Sequence, residues 1–258
     1  MESVLRTLRE SLNSRGFEVY PLKIGWYNAL VSQAHHLQYS ADTLAIVVLS
    51  TPSMFEKLFL PFLQKCSWKG IRDPIDECVA NAISTCVSEH FPDQSVDIRY
   101  DYEMLPSRKP KFLAQTAAHV AGAAHYYKQS DIQEPPWGNK KMFGVCIHPQ
   151  LGGWFAIRAL LVWKDVEVGE ELQQVAPPDC VSSQEARIEL LQRFNYCWQD
   201  WTYRDIIPTK DSYSPQQREY FSTPPAQRVE LLKKWAIIPD TNTEKQALVD
   251  NNEAETDM

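Results

Sequence analysis

Apolar positions in the first dozen residues, Val4, Leu5, Leu8 and Leu12, recur at helical spacing and stop before Gly16, which predicts an N-terminal helix closed by a glycine cap. Residues 17–24 alternate well enough for a strand. The run Thr43-Leu44-Ala45-Ile46-Val47-Val48-Leu49 is apolar without interruption, as in a strand covered on both faces. Thr51-Pro52 and Asp73-Pro74 each set an N-cap residue before a first-turn proline, predicting helices over about 52–65 and 74–90. Val96, Ile98 and Tyr100 alternate with Asp97, Arg99 and Asp101, the pattern of a half-buried strand. After a loop over 104–110 come an Ala-rich helix over 114–127, a short strand over 143–147 and a longer one over 153–163. Gly152-Gly153 marks a bend or a close backbone approach between the two strands. From Ser182 the pattern is helical to about Trp235. The elements follow no regular βαβ rhythm and carry no glycine-rich nucleotide fingerprint, so the predicted class is α+β, a mixed or antiparallel sheet flanked by helices.

Composition narrows the function classes. The chain has 258 residues, 44% hydrophobic and 23% charged, enough for a sizeable core without disulfide or metal staples, and no apolar run approaches the roughly 20 residues of a membrane span. Much of the net charge of −7 lies beyond residue 238, where Asp240, Glu244, Asp250, Glu253, Glu255 and Asp257 face only Lys245. We therefore expect one folded unit over 1–238 and a disordered acidic tail over 239–258. The body is near neutral and has no basic stripe, which argues against nucleic acid. The N-terminal residues have neither the apolar stretch of a secretory signal nor the acid-free character of a transit peptide, so a cytoplasmic location is expected. Cys66, Cys78, Cys86, Cys146, Cys180 and Cys197 form no CxxC pair and read as reduced thiols.

Three segments carry candidate chemistry. On a helix over 114–127, Gln115, His119, Gly122, Ala123 and Tyr126 share a face with small residues at its centre, either a wall for a planar ligand or a close packing surface with His119 as a satisfied core histidine. On the later strand, Arg158 shares a face with Trp154, Ala156, Leu160 and Val162. A buried guanidinium must meet a protein carboxylate or an anionic ligand. Asp200 and Arg204 are spaced to pair on a helix surface, and Arg228 sits near a helix start, where a cation opposes the helix dipole. Cys146 reads as a small core residue, His148-Pro149 as a strand end, and His35-His36 as exposed. No nucleophile–base–acid set, phosphate loop or zinc pattern is present.

The runs AQTAAHVAGAA, GVCIHP, GGWFAIR, WTYRD and YFSTPPAQR, in this order, resemble the CblC family of cobalamin-processing proteins, over about Phe17 to Arg228. That resemblance implies a fold like the FMN-dependent nitroreductases and removal of the upper axial ligand of cobalamin bound base-off. Alkylcobalamins would be dealkylated by the thiolate of glutathione, and cyanocobalamin decyanated reductively, with FMN or FAD and NADPH as possible electron sources. By the same resemblance Arg158, Arg204 and Arg228 bind glutathione, whose carboxylates match arginine forks. Cobalamin would meet Asp101, Phe112, Leu113, Ala114, Gln115, His119, Gly122, Tyr126, Tyr127, Lys128, Cys146 and Ile157. No catalytic side chain and no protein metal ligand are implied, since the substrate thiol is the nucleophile. Implied partners are the CblD adaptor and, downstream, methionine synthase and methylmalonyl-CoA mutase, for a monomer or weak homodimer. Lys128 stands where vertebrate relatives have Gln, and Phe112 replaces a smaller aliphatic. A cobalamin carrier without turnover and a flavin-dependent reductase are the alternatives.

Overall fold

In the computed structural model, which describes residues 1–65 and 73–238, the all-apolar run becomes β2 (Thr43–Ser50), and every one of its residues is buried. It lies between β1 (Phe17–Lys23) and β6 (Ala156–Glu167), with β3 (Val96–Tyr100) on the far side of β6, and all three pairings are antiparallel. Of the expected mixed or antiparallel sheet, the antiparallel form is the one observed. β3 is half-buried along its length, as its alternation predicts.

One sheet face carries α1 (Glu2–Leu12), α4 (Pro74–His90), α7 (Pro215–Ser222) and α8 (Arg228–Lys234), packed over Ile46, Val48, Leu161 and Trp163. The other carries α2 (Ile24–Leu30) and α5 (Ala114–Val120) over Ala45, Val47, Leu160 and Val162. A two-stranded ribbon, β4 (His125–Tyr127) with β5 (Val145–Ile147), closes a third core with α6 (Gln184–Tyr196). Caps follow the sequence at several starts: Asp73, Ser183 and Ser214 accept backbone N–H groups of Ile75, Ala186 and Gln217. Gly16, at φ +86°, closes the first helical segment as expected.

Five expectations are corrected. The Thr51 hydroxyl donates to the Gly16 carbonyl instead of capping a helix. The segment that follows is a widened π-turn over Phe55–Phe59 running into α3 (Leu60–Leu63). Pro61 has no N–H to bond four residues back, and its ring crowds that turn. The Ala-rich helix ends at Val120, not at 127: Gly122 takes φ +75° and its N–H caps on the His119 carbonyl. The chain then pairs as β4 with β5, so strand pairing overrides alanine's helix preference. The longer late strand begins at Ala156 and runs to Glu167. The helical tract after Ser182 divides into α6, α7 and α8, with two short 3-10 turns, Trp198–Asp200 and Thr202–Asp205, and an irregular stretch between. His35 and His36 are half-buried and not fully exposed. Cys66 and the acidic tail over 239–258 lie outside the described residues. Cys86, Cys146, Cys180 and Cys197 are free thiols. Among the described residues no helix is long and apolar enough to cross a membrane.

Candidate functional site

Arg158 is placed by a β-bulge. Val48 pairs with Ala159 but Leu49 pairs with Ile157, so Arg158 is an extra residue that reverses the alternation of β6. Leu160 and Val162 therefore pack on one face, while the Arg158 side chain turns to the other, where its Nε donates to Ser50 Oγ at 2.9 Å. The single row expected for Trp154, Ala156, Arg158, Leu160 and Val162 does not exist. Arg158 is 6% exposed. Its carbonyl accepts the Asp101 N–H, and Asp101 and Asp76 face it as negative charges. Among the described residues no carboxylate lies within ion-pair distance of its guanidinium. Burial, reinforced by Asp73 and opposed by Arg158, pushes the Asp76 carboxyl up to about 6. Burial also raises that of Asp101, with Arg158 again opposing.

Arg204 does not pair with Asp200, whose carboxylate instead takes the Thr202 N–H and hydroxyl at 2.8 and 2.7 Å. The Trp201 backbone, left-handed at φ +68°, turns Arg204 inward. Its guanidinium stands 4.8–5.5 Å from the ring centres of Trp154, Trp201, Tyr203 and Tyr213, a cation in an aromatic cage. Nη1 donates to the Gly153 carbonyl, and Nε is buried without a partner. The expected close backbone approach is here: a Cβ on Gly152 would lie 2.2 Å from the Arg204 carbonyl oxygen, and one on Gly153 2.9 Å from its Cα.

Arg228 has a protein partner. Its Nη1 contacts Asp73 Oδ2 at 2.7 Å, its Nε donates to the Thr223 carbonyl, and its guanidinium lies 4.8 Å from the Tyr220 ring centre. It stands one layer behind Phe221, which borders the cavity next to Arg158 and Arg204.

That cavity, of about 420 Å³, is walled by Phe155, Ala156, Arg158, Trp198, Trp201, Tyr203, Arg204, Tyr213 and Phe221. A second, of about 560 Å³, lies beyond Trp198 and Tyr203 and is lined by Gln115, Tyr126, Phe143, Gly144, Phe194 and Asn195. A third, of about 170 Å³, runs beneath Phe194 and Tyr203 to Cys146, Ile157 and Arg204. Tyr203 borders all three, so they lie side by side in one region of the surface, a recess with aromatic walls and two arginines at one end. This is the concave, mostly apolar form with few polar groups that ligand sites take.

Of the residues that resemblance assigns to cobalamin, Gln115, Tyr126, Cys146 and Ile157 line this recess. Gln115 ties α5 to β5, donating to the Gly144 carbonyl at 3.0 Å and accepting the Cys146 N–H at 2.7 Å. Burial pushes the Cys146 thiol far up, so it is a protonated core thiol as expected. The others do not border the recess. Phe112 is buried against α5, and the Leu113 N–H donates to Tyr27 Oη. Ala114 opens α5, and Asp101 follows β3 beside Arg158, outside the lining of these cavities. Tyr127 turns into the third core, its hydroxyl donating to Asp179 and accepting the Val181 N–H. His119 accepts the Tyr126 N–H at Nδ1, and burial holds its pKa below the usual histidine range, the satisfied histidine of the second reading. Gly122 makes the turn into β4, and Lys128 is exposed with Nζ 5.5 Å from the Tyr126 ring centre. Residues not singled out from sequence make most of the wall: Phe143, Phe155, Phe194, Trp198, Trp201, Tyr203, Tyr213 and Phe221. The signal was present as the aromatic density of 194–203.

The family described as methylmalonic aciduria and homocystinuria type C matches residues 16–232. A Danio rerio protein named cyanocobalamin reductase / alkylcobalamin dealkylase is 64% identical over 243 residues, covering 94% of this chain and 97% of its own. The Homo sapiens protein of the same name is 50% identical over 225 residues, 87% of this chain and 79% of its own. A crystal structure of a C. elegans B12-trafficking protein CblC superposes with a TM-score of 0.83 at 33% identity, covering 91% of this chain and 96% of the other. On the extent of these matches, the chain belongs to the methylmalonic aciduria and homocystinuria type C family.

Proposed function

We propose that this chain is a cobalamin-processing enzyme that removes the upper axial ligand, dealkylating alkylcobalamins and decyanating cyanocobalamin, with residues 1–238 acting as one unit in the cytoplasm. The observation that carries the reading is the 64% identity, across nearly the whole of both chains, to a protein named for these two activities. The neighbouring cavities support it: their aromatic walls suit a broad macrocycle held base-off, with Gln115, Tyr126, Cys146 and Ile157 against it.

For dealkylation, glutathione is the cosubstrate. Its carboxylates would take the forks of Arg158 and Arg204, with Arg228 behind them, which fixes the thiol beside the cobalt-bound carbon. The thiolate sulfur then forms a bond to that carbon while the cobalt–carbon bond breaks, its electron pair remaining on cobalt. Cobalt(III) becomes cobalt(I) and the thiol leaves as a thioether. No protein nucleophile is needed, in keeping with the protonated state of buried Cys146. The aromatic cage around Arg204 excludes water and so strengthens its attraction for a carboxylate.

Decyanation needs electrons from outside the protein. By the family resemblance FMN or FAD reduced by NADPH would supply those electrons, and the exposed Lys128, 5.5 Å from the Tyr126 ring centre, would offer a cation for a flavin phosphate. The likeness to flavin-dependent nitroreductases, and delivery through the CblD adaptor toward methionine synthase and methylmalonyl-CoA mutase, belong to this reading through the family resemblance alone.

The test is anaerobic absorbance of methylcobalamin with the protein before and after glutathione, with Arg158→Gln in parallel. A base-off shift followed by reduced-cobalamin bands, slower in the variant, is expected. A shift without turnover leaves a carrier, and no shift refutes the reading.

A further inference from the structure

Outside the recess, a buried polar cluster stands at the strand end formed by His148. His148 is 3% exposed. Its Nδ1 accepts the N–H groups of both Gln150 and Leu151 at 3.2 Å, so that nitrogen carries no proton and Nε2 does. Nε2 points at Glu18 Oε2, 3.2 Å away, and at Tyr20 Oη, 3.1 Å away, and the Tyr20 hydroxyl donates to the same Glu18 oxygen at 2.7 Å. Both partners come from β1, so the ring is clamped between the edge of the sheet and its own turn.

The turn is closed in both directions: His148 N–H donates to the Gly152 carbonyl at 2.8 Å, and Gly152 N–H to the His148 carbonyl at 2.9 Å. The next residue reaches the recess. Gly153 N–H donates to the Arg204 carbonyl at 2.9 Å, and the Gly153 carbonyl receives Arg204 Nη1, so one glycine holds both the backbone and the guanidinium. Lys210 N–H donates to the Gln150 carbonyl at 2.7 Å, so the segment after Arg204 hangs from the same turn. The absence of side chains at Gly152 and Gly153 is what lets the two segments touch.

We propose that His148, clamped by Glu18 and Tyr20, is a positioning residue that sets Arg204 for its anionic substrate. The inference rests on the reading that Arg204 anchors glutathione. The ring acts through the turn: its Nδ1 replaces a backbone acceptor for two N–H groups, and the turn in turn dictates where Gly153 presents its carbonyl. Among the described residues Arg204 has no carboxylate within ion-pair distance, and apart from a hydrogen bond with Tyr203 the surrounding rings attract it without fixing its direction. Losing the turn lets the guanidinium spread over several rotamers, which weakens a bidentate contact more than the chemical step.

The experiment uses the full chain with methylcobalamin under anaerobic conditions, measuring glutathione KM and kcat and the cobalamin absorbance shift for His148→Ala, His148→Asn, Glu18→Gln and Arg204→Gln. His148→Ala should raise glutathione KM about tenfold, with kcat within about twofold and the absorbance shift retained. His148→Asn should return KM to within about threefold of the parent, because an asparagine oxygen can accept the same two N–H groups. Glu18→Gln should lie between them. An unchanged KM in both His148→Ala and Glu18→Gln overturns the proposal. So does a joint loss of KM, kcat and cobalamin binding without rescue by asparagine, which would mean ordinary support of the fold. Should Arg204→Gln itself leave KM unchanged, the assignment of Arg204 to glutathione fails and the proposal falls with it, whereas a raised KM there and nowhere else sinks the proposal alone.

Discussion

Asp76 lies in the first turn of α4, one turn beyond the cap residue Asp73, with Arg158 and Arg228 within electrostatic reach. Replacing it by asparagine removes a charge that burial and Asp73 disfavour. A carboxyl pushed up to about 6 from its ordinary 3.8 corresponds to about 3 kcal/mol of penalty on the ionised form. Solvent screening of a side chain that is only half-buried, and the lost attraction of a carboxylate for the helix N-terminus, reduce the net gain to roughly 1–2 kcal/mol. The sign follows from proton binding. Between about pH 4 and 6 the folded protein holds a proton that the unfolded chain has released, so native stability falls as pH rises through that window and the deficit is complete above it. Asp76→Asn should therefore stabilise the protein at pH 7.5 and not at pH 4. Guanidinium unfolding followed by tryptophan fluorescence at the two pH values measures it. An equal gain at both, or a loss at pH 7.5, would refute the argument. Asp76 faces Arg158, at the edge of the recess, and Arg228, one layer behind it.

Gly152 and Gly138 both adopt left-handed backbone, at φ +57° and +58°, but a Cβ at 152 would meet the Arg204 carbonyl at 2.2 Å and one at 138 meets nothing within 4 Å. Gly138→Ala should cost only the conformational strain, about 1 kcal/mol, whereas Gly152→Ala should cost about 3 kcal/mol or more, read by the same unfolding assay. Trp198 is 59% exposed yet walls the two larger cavities. Trp198→Ala should change stability by less than about 0.5 kcal/mol and weaken methylcobalamin binding about tenfold by absorbance titration, since lost stacking falls on the bound state alone.

Several local signals in the chain match the structure, although the Thr51-Pro52 cap and the length of the Ala-rich helix do not. The uninterrupted run of β2, the Asp73-Pro74 start of α4, the amphipathic spacing of α1 and the alternation of β3 all appear as expected. So does the close approach at Gly152-Gly153. The motif words pointed to the family, because those words survive without any knowledge of the fold. The candidate site was legible in part: Arg158 and Arg204 do meet at one recess, and Gln115, Tyr126, Cys146 and Ile157 line it. The shared helix face drawn through His119, Gly122 and Tyr126 was not real, because β4 takes its partner from β5, about twenty residues further on.

The chain by itself determined the burial periods, the cap at Asp73, the charge balance and the family. Tertiary structure alone decided what faces what. A single bulge turned Arg158 to the other side of the sheet, Asp73 found Arg228 across 155 positions, and Arg204 found the carbonyl of Gly153 instead of Asp200. Periodicity records which residues leave water over a few neighbouring turns, but register and crossover settle the long-range partners. A one-residue slip in register exchanges the two faces of a strand.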